Sequence, residues 1–531
     1  MQKTQIKLGL FDPGMTHLHR VGLAGLYMIL ESLKNQNLSF ENAAWHLDPT
    51  TVVLEFDEQN GYAFFDWLFS HSFQIDNNGL IRFPHTQLKG MGDLERISYY
   101  KCIMNTFLQH TKTNAKDTQI TQTYDYQSNK KVTVDYTPLK WFYLQGKKPD
   151  FSVKSTSPAL DILFENNKLK STPIKIKGLH FPGAVERHSG LSGTEMEQSI
   201  YMVLSLLYAC TGVLYYQIKR KDQKGEPDDK YKHAIVLPHI ENLHAYAKGY
   251  QRYLTTPYRR LTANSSGDAA LLGLIELKAQ ADIYQIGVSG CSVLLIGKAK
   301  WNKNQKVRTC ATSFNHLIKD RILQFEIASK CLQNREFFPE IIKKESGSRM
   351  SITTSLVRGL VADNLASGKQ FYHNFYQLLL SQKLTQFIEK ERKGLNEMIQ
   401  KMTWSFEEDK LLVEAIHAAL KSRYGKLAEQ AKKSGESIYE KFNREYERIR
   451  TSLVRAKNLQ TLRAEIATIF ARGHRNFTLQ KNWTTILPLF TGPDWQRTRD
   501  LALLALASYS GSSEENKQST HEDNLELEEE E

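Results

Sequence analysis

The chain has 531 residues, 41% of them hydrophobic and 24% charged, which is the composition of an ordinary globular protein with room for two to four domains. Its five cysteines (Cys102, Cys210, Cys291, Cys310, Cys331) are scattered, odd in number and without a Cys-x-x-Cys pair, which argues for a reducing cytoplasm and against a disulfide framework or a cysteine-built zinc site. The net charge of +12 is uneven: the tail Gly511–Glu531 holds nine acids and one lysine, so the rest carries 69 basic against 49 acidic residues, a balance that usually meets a polyanion.

The elements follow in chain order. LFDPGMTHLHRVGLAGLYMIL (Leu10–Leu30) reads as an apolar helix starting at His17, with Thr16 as its cap. Asp12, His17, His19 and Arg20, with no small-residue cleavage site after them, argue against a signal peptide. Residues two apart on a helix point about 200° apart. His17 and His19 therefore do not grip one metal, and no metal site is expected. Two readings of this turn stand: the polar entry to a buried helix, or a docking point for an anion or a subunit through His19 and Arg20, since helix N-termini favour anions. Gly22, Ala24 and Gly25 would admit another backbone closely.

TVVLEF (Thr51–Phe56) reads as a strand and Gly61–Phe73 as a helix. Phe73–Phe83 predicts a hairpin around Asn-Gly, and Gln119–Tyr136 a second hairpin with a polar tip. Thr194 and Glu197 form a Thr-x-x-Glu capping box, which predicts a helix starting there. The apolar run Ile200–Tyr216, with four tyrosines and a glycine, reads as a core helix running into a strand, not a membrane span. Tyr215–Pro238 and Cys291–Ser313 each read as two strands joined by a charged loop. From about Glu345 helical periodicity takes over. Ile438, Phe442, Tyr446, Ile449 and Leu453 share one helical face, and a last helix spans about Trp495–Tyr509. The fold class is α+β: a mixed body with hairpins over 1–345, an all-α bundle over 346–510 and a disordered acidic tail over 511–531.

The loop KAKWNKNQKV carries Lys298, Lys300, Trp301, Asn302, Lys303, Asn304, Gln305 and Lys306. Cations for phosphates, an aromatic ring to stack or wedge, and amides to read base edges suit nucleic-acid contact. Arg259 and Arg260 beside Tyr258 add a smaller basic point, and Lys219, Arg220 and Lys221 are answered by acids in their own loop. Lys441, Arg444, Arg448 and Arg455, spaced by 3, 4 and 7, form one helical stripe about 130° round from the apolar face, and Arg463 adds to it. TWSFEEDKLL lacks the further tryptophans of a Myb-type repeat. GVSGCSV lacks the pattern of a nucleophile elbow or a phosphate loop. No catalytic constellation, metal set or cofactor motif is visible.

The opening stretch resembles the N-terminus of the large subunit of type I CRISPR Cascade complexes of the MYXAN (I-B) subtype, a family also known as fruiting-body developmental proteins. Gly14, Met15, His19, Arg20, Gly22, Leu23, Gly25 and Leu26 carry the resemblance. Beyond them, organisation, length and charge agree rather than motifs. The resemblance implies a cytoplasmic, non-catalytic subunit without cofactor, bound to a guide RNA and Cascade backbone subunits. Its body would recognise a short motif flanking the target in double-stranded DNA, and its bundle would hold the displaced strand. A helicase-nuclease or transposition proteins would act downstream. It also implies a separately translated copy of the bundle, for which Met350, Met398 and Met402 are candidate starts. Two other readings fit the residues: a metal-dependent nucleic-acid enzyme using scattered carboxylates such as Asp57, Asp66 and Asp363, or a scaffold with no nucleic-acid role.

Overall fold

The computed structural model describes residues 3–86, 92–108, 114–126, 130–145, 158–176, 196–222, 224–228, 230–255, 261–278, 287–298, 307–315, 319–337, 351–473 and 475–511. The chain forms two compact units. The first holds residues 1–220, 228–322 and 334–354, and the second 221–227, 323–333 and 355–531. The boundary expected at 345–346 and the acidic tail from 512 onward lie outside the described residues, as does Met350.

The first unit opens with strand β1 (Lys3–Gly9) and helix α1 (His17–Asn35), followed by β2 (Ala43–Leu47), β3 (Thr51–Asp57) and α2 (Gly61–Ser72). The three strands form an antiparallel sheet in the order β1-β3-β2. The expected Asn-Gly hairpin pairs Gln74–Ile75 with Ile81–Arg82. It closes through Gly79, at φ 74°, whose N–H donates to the Asp76 carbonyl, and Asp76 Oδ1 takes the N–H groups of Asn78 and Leu80. That is a three-residue loop, not the two-residue turn that Asn-Gly most often makes. Helix α3 (Asp93–Asn105) and the hairpin β4 (Ile120–Tyr126) with β5 (Lys130–Tyr136) follow.

Helix α4 (Ile200–Leu207) corrects the predicted start at Thr194. Glu197 lies in the strand Met196–Gln198, paired with Lys175 of Ile174–Ile176, and Ser199 takes the cap position. Strand pairing thus overrides a local capping signal. The short α5 (Ala209–Gly212) leads into β6 (Leu214–Ile218), β7 (His233–Ile240), α6 (Leu243–Leu254), β8 (Thr262–Ala263), α7 (Ser266–Leu277), β9 (Val288–Lys298) and β10 (Val307–Asn315). The five strands make one sheet in the order β8-β6-β7-β9-β10, antiparallel except for β6 with β8. Pro238 sits in the interior strand β7, where its missing N–H is accommodated by a register shift between Pro238 and Ile240.

The core of this unit is built on α1, which is buried along most of its length. A Cβ added at Gly22 would lie 1.9 Å from the Ser205 carbonyl oxygen, one at Gly25 2.1 Å from Thr211 Oγ1, and one at Gly212 1.9 Å from the Val21 carbonyl oxygen. The small-residue surface of α1 and the α4–α5 segment therefore meet backbone against backbone. A belt of buried tyrosines holds α6 to the same segment. Tyr246 donates to the Gly212 carbonyl at 2.6 Å, Tyr250 to that of Val213 at 3.0 Å, and the Tyr253 hydroxyl both accepts from Tyr215 N–H and donates to Tyr215 O. Each hydroxyl is buried with a partner, so the belt adds ring area without leaving polar atoms unsatisfied.

The second unit is helical: α8 (Leu356–Ala366), α9 (Gln382–Lys401), α10 (Glu407–Ser434), α11 (Ile438–Arg455), α12 (Leu459–Gly473), α13 (Phe477–Thr491) and α14 (Trp495–Ser508). The long α10 is its centre, packed by α11, α12, α13 and α14. Its acidic first turn (Glu407, Glu408, Asp409) and basic last turn (Lys432, Lys433) match the helix dipole, and Gly435 at φ 71° ends it. The stretch after Ser437 forms two helices, α11 and α12, broken at Ala456–Asn458. Met398 and Met402 are buried at the end of α9, so a chain begun there would lack the helix that supplies Leu384, Ile388 and Leu395 to the core.

Gly22→Ala is expected to cost about 3 kcal/mol, because the new methyl overlaps a backbone carbonyl that cannot swing away. Gly425→Ala, in α10 with nothing within 4 Å of the new methyl, is expected to stabilise by up to about 1 kcal/mol. Urea midpoints of the two variants against the parent check both signs.

Candidate nucleic-acid interface

Helix α1 begins where the sequence places it. The Thr16 N–H donates to His19 Nδ1 at 3.3 Å, and the Thr16 hydroxyl lies 2.7 Å from the same atom. Nδ1 is therefore the accepting nitrogen, and Nε2–H donates to Gln198 Oε1 at 2.9 Å. His19 is 3% exposed, and burial pushes its imidazole below the ordinary value, so it is neutral. Both of its ring nitrogens serve the cap and the tie to Gln198. Of the expected docking pair, His19 is buried and serves the helix start, and Arg20 is partly accessible. Arg20 is half-buried, its guanidinium 5.2 Å from the ring of Phe11, which is 58% exposed. Beside it, His17 stacks on His239 with ring centroids 3.5 Å apart, and burial followed by the Arg20 charge lowers the His17 pKa.

Lys300, Trp301, Asn302, Lys303, Asn304, Gln305 and Lys306 lie outside the described residues, as do Arg259 and Arg260. Lys298 closes β9 opposite Val307, so the loop leaves the end of the longest strand pair of the five-stranded sheet. Arg220 faces Asp228 at 3.9 Å, and Lys221 lies 3.9 Å from the Phe387 ring. Asp57 ends β3, Asp66 is on α2 and Asp363 is on α8 of the other unit. Among the described residues no group of three or more His, Cys, Asp or Glu is arranged to hold a metal, and no helix is long and apolar enough to cross a membrane. A cavity of about 330 Å³ in the first unit, lined by Glu31, His85 and Tyr250 among others, includes none of the residues chosen from the sequence.

The stripe on α11 is present, but most of its charges have partners in the fold. Lys441 pairs with Glu436 at 3.2 Å and Arg444 with Glu440 at 2.9 Å. Arg463 donates to the Phe490 carbonyl, and Arg455 is exposed. Arg448 is different. It joins Glu445, whose carboxylate also takes Arg423 of α10 at 3.0 Å and Arg472 of α12 at 3.3 Å. One buried acid thus gathers three cations from three helices. Burial pushes the Glu445 carboxyl up, but the hydrogen bonds and charges of Arg448 and Arg423 outweigh it and hold it at about 2.

The sequence reading missed this hub. Its local signal was there: Glu445 falls three residues after Phe442 and four before Ile449, on the apolar face of α11, where a carboxylate needs a cation. Which cations answer it depends on helix packing. Arg497 is a second missed centre, joining Asp409 at 2.7 Å and Glu408 at 3.1 Å, with Tyr372 donating to Asp409.

Fold and charge together define a class: an α+β unit and a helical unit, with an excess of cations outside the acidic tail and no group of three or more metal-holding side chains among the described residues. Residues 7–207 match the family described as the DevT N-terminal domain and residues 400–531 the DevT C-terminal domain. The chain is 25% identical, over 543 aligned positions, to the CRISPR-associated protein Cas8a1/Csx13 of Myxococcus xanthus (strain DK1622), which covers 96% of this chain and 89% of that protein. The chain belongs to the family of large subunits of type I CRISPR Cascade complexes.

Glu445→Gln tests the hub. A carboxyl held below its ordinary 4.5 contributes stability that is complete above that value and is lost as pH falls toward 2. The parent should therefore lose on the order of 3 kcal/mol over that window, and the Gln variant should start lower at pH 7 and show a flatter acid limb. Denaturant titrations at pH 7, 4.5 and 3 measure it.

Proposed function

We propose that the protein is the non-catalytic large subunit of a guide-RNA surveillance complex of the MYXAN (I-B) subtype. It recognises a short motif flanking the target in double-stranded DNA and stabilises the strand that guide pairing displaces. The observation that carries this is a relative matched along 96% of the chain, joined to an excess of 69 basic over 49 acidic residues outside the acidic tail. Guide pairing supplies sequence specificity in such a complex, which leaves the protein a short duplex motif to read and backbones to hold. That work asks for a few loop amides at base edges and for diffuse positive charge.

The 1–345 body is assigned to the flanking motif and to docking on the guide RNA and backbone subunits, and the 346–510 bundle to the displaced strand. In the body, Asn302, Asn304 and Gln305 are assigned to base edges, and the lysines around them, with Arg259 and Arg260, to phosphates. Arg20 is assigned to an anion at the docking face, either the RNA or an acidic neighbour. The acidic 511–531 tail is assigned to suppressing stray polyanion binding by the basic bundle.

In the assembled complex, Asn302→Ala is expected to relax motif choice at unchanged affinity for the best motif. Lys303→Ala is expected to weaken binding to about the same extent at every motif and to lower the salt slope by about 1. Binding curves over a panel of flanking sequences at two salt concentrations check this. Equal losses at every motif for both variants would remove the distinction.

A further inference from the structure

A single-stranded nucleic acid needs two things from a surface: cations that track its phosphates and aromatic rings on which its bases stack. The helical unit carries both, the cations on α10, α11 and α12 and the rings on α13, which follows α12 directly. At Glu445 three guanidinium groups meet one carboxylate, which leaves an excess of two positive charges. The carboxylate lies underneath, 7% exposed, while the side chains of Arg423, Arg448 and Arg472 are 22%, 31% and 41% exposed. The acid fixes the fork of each arginine and the outer donors face solvent, an arrangement that suits a phosphate oxygen.

The aromatic part follows directly in the chain. Arg472 ends α12, and three residues on Arg475 lies 4.5 Å from the ring of Phe477, the first residue of α13. Phe477 is 65% exposed. Six residues further Trp483 is 44% exposed, just past the non-helical Asn482, and stacks on Phe490 with centroids 5.9 Å apart. The position of this region is fixed from below: Asn476 caps α13 and donates to the Ala415 carbonyl of α10, and Gly473 lies directly against Ala419. From Ile466 to Pro493 the chain has no Asp or Glu but has Arg472, Arg475 and Lys481. Among the described residues, Arg475 and Lys481 have no carboxylate partner.

We propose that the Glu445-centred arginines and the exposed rings of Phe477 and Trp483 form a binding surface for single-stranded nucleic acid, the arginines taking phosphates and the rings taking bases. This rests on the reading of the bundle as holder of the displaced strand and replaces the α11 stripe as its main contact. Lys441 and Arg444, with their own acids beside them, contribute little. Because every base has a π-face, the surface is indifferent to sequence, as a guide-directed system requires.

The test is fluorescence anisotropy of a labelled 20-nucleotide thymidine oligomer and of a blunt duplex with the full chain, over a salt series. Phe477→Ala and Trp483→Ala, both at exposed positions, are expected to weaken the single strand about tenfold each and to leave duplex binding and the melting midpoint unchanged. Arg472→Gln, which leaves Glu445 two cations, is expected to lower the single-strand salt slope by about 0.7, whereas Arg444→Gln is expected to leave it unchanged. If the parent binds the oligomer and all four variants match it, the surface is wrong and the nucleic-acid reading survives. If the parent binds neither oligomer nor duplex, the surface and the reading on which it rests both fall.

Discussion

The first unit depends on one close approach. Helix α1 lies almost directly against the backbone of the Ser205–Gly212 segment, because Gly22, Gly25 and Gly212 leave room for carbonyl oxygens and the Thr211 hydroxyl alone. Interiors are packed too densely to absorb an added methyl at such a point. The approach fixes where β6 starts, since that strand follows Gly212 within two residues, and β6 positions the sheet that carries the basic hairpin. The tyrosines of α6 then lock the same segment from another element, donating to carbonyls that α5 and β6 leave open. The polar turn before α1 is thus the entry to the core helix, with Thr16 at the cap and His19 completing the capping box.

The helical unit is organised differently. Its apolar faces are ordinary, and buried and half-buried ion pairs join its helices. Arg497 joins Asp409 and Glu408, Arg450 joins Glu447 and the Leu379 carbonyl, and Glu445 joins three arginines. Buried pairs add little net stability, since desolvation offsets attraction, but they penalise wrong packings heavily. The Glu445 hub differs from the others in charge. Three guanidinium groups around one carboxylate leave an excess of positive charge there, and the exposed ring of Phe477 follows Arg472 by five residues in the chain.

Much of this was legible in the sequence where the signal is local. The α1 start at His17 follows from Thr16 and the apolar run after it. The strand at Thr51, the hairpins and the glycine approach follow from side-chain size and alternation. The Thr194 capping box misled because a strand pairing between Met196–Gln198 and Ile174–Ile176 claims Glu197. The spacing of the basic stripe on α11 is legible in the sequence, and so is the acid at Glu440 that answers Arg444, but the pairing of Lys441 with Glu436 is not. The Glu445 hub was only half legible. A carboxylate on an apolar face announces that a cation is coming, yet nothing local says that Arg423 and Arg472, 22 and 27 residues away, supply two of the three.

The central claim is that this chain lets a guide-RNA complex see the sequence beside its target. The most direct measurement is reconstitution: assemble the complex from its backbone subunits and guide RNA with and without this chain, and measure binding to one target set in a library of flanking sequences. The expected result is incorporation of the chain, with tight binding that depends on a short flanking motif only when it is present. Exclusion of the chain from the complex, or the same affinity and the same flanking preference without it, would contradict the claim.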